Sequence, residues 1–273
     1  MRCGLIDAAR YVELLGRTIT TVLRTPGRLT QSVADSSFDA WIKYYRPDEN
    51  SPNAVVSYYA KGTLVACALD LTLRRDGRSS LDEVMRALWE RHGRTAIGVP
   101  EDGIPALASE LAGRDLSDFF ARYVHGTEDP PLRDLLAEFG ITLDTRVAFD
   151  AKDRGGKRGS GTPPRCSFDA KIGGDLKLAV VFRDGAAARA GLSANDTLVA
   201  IDGLKVSAEA LVGILARRQP GEEIAVHAFR RDELMEFTVT LAHAPQDTVF
   251  LTLDDAPSSA ALARRTAWLC PSP

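Results

Sequence analysis

The sequence predicts a multi-domain fold of α and β parts: a helical bundle, then a small, partly open barrel of five short strands and two helices. Three observations predict it. Up to about residue 145, apolar residues recur at spacings of three and four, the period of a helix with one buried face. Residues 151–165, AKDRGGKRGSGTPPR, then hold four glycines, two prolines and five basic residues against one acid, too little apolar surface to order themselves. Beyond them the period becomes two. The boundaries follow: helical domain 1–145, flexible linker 146–164, second domain 165–245 and a tail 246–273.

Asp7 is placed to cap a first helix that carries Val12, Leu15, Ile19 and Val22 on one face and stops before Pro26. A helix begun near Val55 or Tyr59 is apolar on nearly every side through Leu73, so it should be buried all round; Arg74, Arg75 and Gly77 close it. Ser80 and Glu83 form a capping box before Val84, Leu88 and Trp89, with Gly93 as the stop. Shorter helices are expected over 104–111, 116–124 and 132–139, the last with Pro131 in its first turn and Gly140 at its end. In the second part, CSFDAKI, LKLAVVF, DTLVAID, EIAVHAFR and MEFTVTLA read as strands, and AAARAGL and SAEALVGILARR as helices.

Composition narrows the function. A net charge of -3 gives no electrostatic basis for binding nucleic acid or an anionic membrane. No apolar run reaches the roughly 18 residues of a membrane span. The start, MRCGLIDAARYVELL, has neither the apolar core nor the small-residue cleavage site of a signal peptide. The scattered cysteines suit a reducing compartment, and a cytoplasmic location is the expectation. Cys3, Cys67, Cys166 and Cys270 share no pair spacing, which argues against a zinc finger or redox pair; Cys67 reads as a small core residue. The cluster Asp48 and Glu49 within RPDEN, residues 46–50, reads as a solvated turn, with recognition of a substrate amine as the sharper alternative.

The stretch GAAARAGLSANDTLVAIDGLKV, residues 185–206, resembles the central signature of bacterial-type PDZ domains. Gly191 ends a short helix, Leu192 plugs the core, and Asp202-Gly203 suits a tight primed turn. The resemblance covers about residues 165–243. It implies a groove in which an extended peptide adds as a strand, between Ala170, Lys171 and Ile172 on one side and Leu211 and Leu215 on the other. It also implies that the loop Ser167-Phe168-Asp169-Ala170 would hold a ligand carboxylate. Asp169 stands where the pattern has glycine: a carboxylate there repels a ligand carboxylate, and an aspartate resists the backbone angles glycine would take. Packing of the groove on its own chain and capture of a peptide both stay open.

Tyr59-Ala60-Lys61-Gly62, opening the buried helix, resembles the tyrosine element of gluzincin zinc aminopeptidases. The segment RTPGRLTQSVADSSFDAWIKYYRPDENSPNAVVSYYAKG, residues 24–62, with the trailing PDZ-like part, is similar to the glycyl aminopeptidase family of PDZ-containing zinc peptidases. That resemblance implies removal of N-terminal Gly or Ala from peptides, with the Tyr59 phenol (Tyr58 in reserve) donating to the oxyanion as water attacks the scissile carbonyl. It implies zinc in the parent enzyme and no cofactor in this chain. No HExxH is present, and His92, His125, His227 and His243 supply no ligand cluster where catalytic zinc needs three protein ligands. The expectation is therefore a C-terminal fragment, inactive without its zinc-binding half as partner, and given to self-association. A non-enzymatic adaptor carrying a peptide-binding PDZ domain is the alternative. The regulatory PDZ region of a serine protease is a weaker third reading, unsupported by any Gly-x-Ser-x-Gly stretch.

Overall fold

The computed structural model describes residues 4–270, so Cys3 lies outside the described residues. The chain opens with helices α1 (Ala8–Leu23), α2 (Val33–Phe38), α3 (Ser51–Ala54), α4 (Tyr58–Arg75), α5 (Leu81–Leu88), α6 (Gly103–Ala112), α7 (Ser117–Phe120) and α8 (Leu132–Ala137). In α1 the Asp7 carboxylate accepts the Arg10 N–H at 2.7 Å, and Val12, Leu15, Ile19 and Val22 are buried. α4 is the central helix of this part. Its cap is Ser57, whose hydroxyl accepts the Ala60 N–H at 3.2 Å, satisfying one of the helix's orphan donors. Leu64, Val65, Ala68, Leu69, Leu71 and Leu73 pack in the core between α1, α5 and α8.

Helix α4 is not apolar all round. Lys61 and Asp70 are both buried in it, each held by partners: Asp70 accepts Arg74 Nε and the Leu81 N–H, each at 2.8 Å. The segment Ser51–Arg75 is, by length and composition alone, apolar enough to cross a membrane, with mean hydropathy 1.2. Counting only uninterrupted apolar residues passes over it, because small and polar residues are interspersed among the leucines. Here half of its most apolar window is buried inside the protein.

The Ser80 cap of α5 and the Gly140 stop after α8 form where predicted: Ser80 Oγ accepts the Glu83 N–H at 3.4 Å, and Gly140 sits at φ +64°. Trp89–Gly93 and Ala121–His125 are single wide helical turns, so the helices predicted over those stretches end loosely and leave Trp89 exposed. Strand β1 (Ile141–Arg146) follows, in a stretch the helical period had claimed.

The second part contains β2 (Cys166–Ser167), β3 (Ala170–Ile172), β4 (Leu178–Val181), α9 (Ala186–Arg189), β5 (Thr197–Ile201), β6 (Leu204–Lys205), α10 (Ala208–Arg217), β7 (Glu223–Arg230), β8 (Glu233–Thr240) and β9 (Ala242–His243). β6-β5-β7-β8 form one antiparallel sheet; β3 pairs with β4 and β2 with β9. Asp202 and Gly203 take φ +50° and +76°, the primed turn that joins β5 to β6 with Ile201 opposite Leu204. A separate core of Phe168, Leu178, Leu192, Leu198, Ile201, Leu211, Ile224, Val226, Phe237 and Val239 fills this part.

The last segment returns to the helices. Strand β10 (Thr248–Leu253) pairs antiparallel with β1, from Ile141 opposite Leu253 to Arg146 opposite Thr248, and α11 (Ser259–Leu269) packs Trp268 and Leu269 into the helical core. β10 lies on α1, where the Thr20 hydroxyl accepts the Val249 N–H at 2.9 Å. The basic stretch before β2 is tied down at its start. Gly156 N–H donates to Val249 O at 2.7 Å, and Asp153 accepts from the Gly155 and Phe149 amides. Asp153 also pairs with Arg146 across the same loop.

Candidate functional site

Tyr58 and Tyr59 stand at the N-terminus of α4, with Tyr59 57% exposed. They do not stand alone. The turn after α2 brings Tyr44 and Tyr45 against them. Tyr45 Oη lies 2.8 Å from Tyr59 Oη and 3.1 Å from Tyr58 Oη, and Tyr44 Oη lies 3.1 Å from the capping Ser57 hydroxyl. The rings of Tyr58 and Tyr59 are 4.2 Å apart, and Trp41 tilts against Tyr45 at 5.2 Å. The site is therefore a patch of four phenols. The signal for its second half was a repeated doublet, KYYRP matching SYYAK fourteen residues on, which local pattern alone did not connect.

Hydrogen bonding sorts the three linked phenols. Tyr59 is held below the usual tyrosine pKa, first by the bond from Tyr45 and then by Tyr58, because both stabilise its anion. Tyr58 is pushed well up, first by its bond to Tyr45. In Tyr45 the bond with Tyr58 pulls downward, but the bond with Tyr59, burial and neighbouring phenolate charge outweigh it and raise the group. Of the three, Tyr59 alone is shifted downward.

Two residues along α4, Lys61 is fully buried and staples the helix start to its surroundings. Its ammonium donates to Arg28 O and Thr127 O, both at 2.8 Å, and lies 3.7 Å from Asp129 Oδ1. Asp129 in turn accepts Arg28 Nε at 2.8 Å. Burial lowers the Lys61 pKa, with Asp129 opposing. Gly27 comes within van der Waals distance of Val55: a Cβ there would meet Val55 O at 2.4 Å. Lys61 and Gly27 thus fix the chain on both sides of the phenols.

The histidines stay apart from this patch. His92 and His125 end the two wide turns, His227 faces Glu236 on β7 and β8 at 3.9 Å, and His243 lies on β9. Among the described residues no group of three His, Cys, Asp or Glu side chains is placed to hold a metal ion. The donor set does not fit the zinc that the sequence resemblance implies.

The second candidate site is formed by β3 and α10, whose apolar side chains join one core. Phe168 and Leu211 are buried there, Ala170, Ile172 and Leu215 are half-buried, and Lys171 is exposed, its Nζ 5.8 Å from the Phe182 ring centroid. Among the described residues β3 pairs only with β4. Asp169 does not resist the glycine-like angle; it takes φ +56°. Its own polar groups offset the cost: the Asp169 N–H donates to Ser167 Oγ at 2.8 Å, and its carboxylate accepts the Ala186 N–H at 3.1 Å, at the start of α9. One amide that could meet a ligand carboxylate is thereby already in use.

The helical core followed by a compact β-rich part is shared with a solved structure. The structure of an aminopeptidase N family protein from Idiomarina loihiensis superposes with a TM-score of 0.88 at 38% identity, over 99% of this chain and 46% of that one. The chain thus spans about half the length of that protein. Residues 1–65, which include all four phenols of the patch, match the family model of M61 glycyl aminopeptidases. A serine endoprotease from Yersinia pestis aligns over 30% of each chain at 24% identity with a TM-score of 0.27. No curated protein matches.

Proposed function

We propose that this chain is the helical and PDZ-bearing part of an aminopeptidase that removes N-terminal Gly or Ala from peptides. In this reading Tyr59 donates its phenolic proton as a hydrogen bond to the oxygen that gains negative charge when the scissile carbonyl is attacked. The single observation that carries it is the exposed Tyr59 hydroxyl at the start of a buried helix, within the residues that match M61 glycyl aminopeptidases. The helix N-terminus favours negative charge at that spot, so the phenol and the backbone act in the same direction.

Among the described residues no group fits the zinc of such an enzyme, and the activity is read as that of a polypeptide that joins this part to a zinc-binding half. Residues 165–245 are read as the PDZ domain, on the strength of the Asp202-Gly203 hairpin, the Gly191 helix stop and the free edge of β3 beside α10. The helical part is read as 1–145, the stretch 146–164 as the connection and 246–273 as the tail that returns to the helices.

The test is hydrolysis of glycyl and alanyl chromogenic amides by the joined protein. Tyr59→Phe should lower the maximal rate by about 100-fold or more with little change in KM. An unchanged rate would remove the assignment. Tyr58→Phe, the reserve residue, should act far less.

A further inference from the structure

Three hydroxyls and two hydrogen bonds join Tyr58, Tyr45 and Tyr59, with Tyr45 in the middle at 3.1 and 2.8 Å. Each phenol has one proton to give. Two protons are therefore consumed within the cluster and one is left over, and the direction of the bonds decides which. If Tyr58 donates to Tyr45 and Tyr45 to Tyr59, the spare proton is on Tyr59, the exposed member. The opposite direction leaves it on half-buried Tyr58, and donation by both Tyr58 and Tyr59 to Tyr45 leaves it on Tyr45.

We infer that Tyr45 is a positioning residue: it donates its hydroxyl proton to Tyr59 and so leaves the Tyr59 O–H free and pointed outward as the donor. The inference rests on the role proposed above for Tyr59. The 2.8 Å contact carries it: a Tyr59 proton given outward cannot also be given to Tyr45, so Tyr45 is the donor of that bond. The ring of Tyr45 is fixed independently, by Trp41 at 5.2 Å and by Tyr44 at 5.3 Å edge-on. A chain of donors running in one sense also polarises its last member, which strengthens the outermost O–H as a donor. The downward shift of the Tyr59 pKa agrees with Tyr45 as the donor toward Tyr59. The other ionisable group of the patch, Tyr44, is turned to the Ser57 hydroxyl.

The experiment is a pH titration of the tyrosines of this chain, followed ring by ring by NMR at Cζ. In the unaltered chain Tyr59 should titrate first in the cluster. Tyr45→Phe keeps the ring and its packing but removes the donor, and should raise the Tyr59 midpoint by about one unit. Tyr58→Phe should raise it by less. A Tyr59 midpoint that stays put in Tyr45→Phe, or that moves more in Tyr58→Phe, overturns the assignment. Failure of the catalytic reading shows elsewhere, as an unchanged rate in the joined Tyr59→Phe enzyme, and leaves the titration result standing.

Discussion

Asn53 and Arg183, 130 positions apart, are joined as if they were neighbours in a sheet. The Asn53 carbonyl accepts the Arg183 N–H at 3.0 Å, while its amide donates to Val181 O at 2.9 Å. One buried side chain on α3 therefore completes the outer edge of β4 with the donor and acceptor pattern of a strand. It lies five residues before Tyr58 and links the helical part to the strand that carries β3 on its other edge.

Asn53→Ala should cost about 2–3 kcal/mol, because it strands an N–H and a C=O that the side chain now satisfies. Hydrogen exchange checks it directly. The Arg183 amide should lose protection while amides of β7 and β8 keep theirs; equal loss everywhere would mean global unfolding instead.

Lys61→Met keeps the volume of the side chain but removes the ammonium from Arg28 O and Thr127 O. The expected loss is about 2–4 kcal/mol, read as a lower midpoint in urea with an unchanged slope. Lys61→Arg should not restore it, since a forked guanidinium does not fit a fully buried slot shaped for a single nitrogen.

Gly27→Ala places a methyl group against the Val55 backbone, with contacts of 2.4 Å to its oxygen and 2.6 Å to its nitrogen. Neither chain can yield without shifting residues 55–57, which lead into Tyr58. The variant should be destabilised by about 1–3 kcal/mol and should change the near-ultraviolet circular dichroism of the tyrosine cluster. A native spectrum would show that the two segments are free to part.

Asp153 gives a pH signature. Burial pushes its carboxyl up, but bonds from Arg146 and from the Gly155 and Phe149 amides more than reverse this and hold it at about 2. A depressed carboxyl stabilises the fold above its unfolded pKa of roughly 3.9, and that stabilisation is lost as the pH falls toward the folded value. Stability should drop by up to about 2 kcal/mol between pH 4 and about 2. Asp153→Asn should show a flatter acid limb over the same interval.

Much of this architecture was legible locally. Asp7, Ser80 and Gly140 announce helix ends through short-range chemistry, and each acts where the sequence places it. The Asp202-Gly203 turn is legible for the same reason. What was hidden depends on partners far away. ITLDTR and TVFLTL become strands because they pair with each other, about a hundred residues apart, and neither alternates strongly by itself. Helix α11 owes its place to Trp268 meeting Tyr11 and Phe139. Tyr59 was singled out from its motif, but Tyr45 was not, since only the turn through RPDEN brings it within 2.8 Å. The backbone of Asp169 was misjudged because its compensating bond to Ala186 comes from a helix seventeen residues further on.

The register that sets Arg146 opposite Thr248 has a consequence for how this chain can vary. Everything between those two residues departs from and rejoins the helices through one doorway about 5 Å wide. The intervening length then costs only a slowly growing closure entropy, so a short reverse turn or a different module would satisfy the same pair of strands. The helical scaffold can exchange its appendage as a cassette, while Asn53 on the one side, and Val181 and Arg183 on the other, would have to be matched afresh each time.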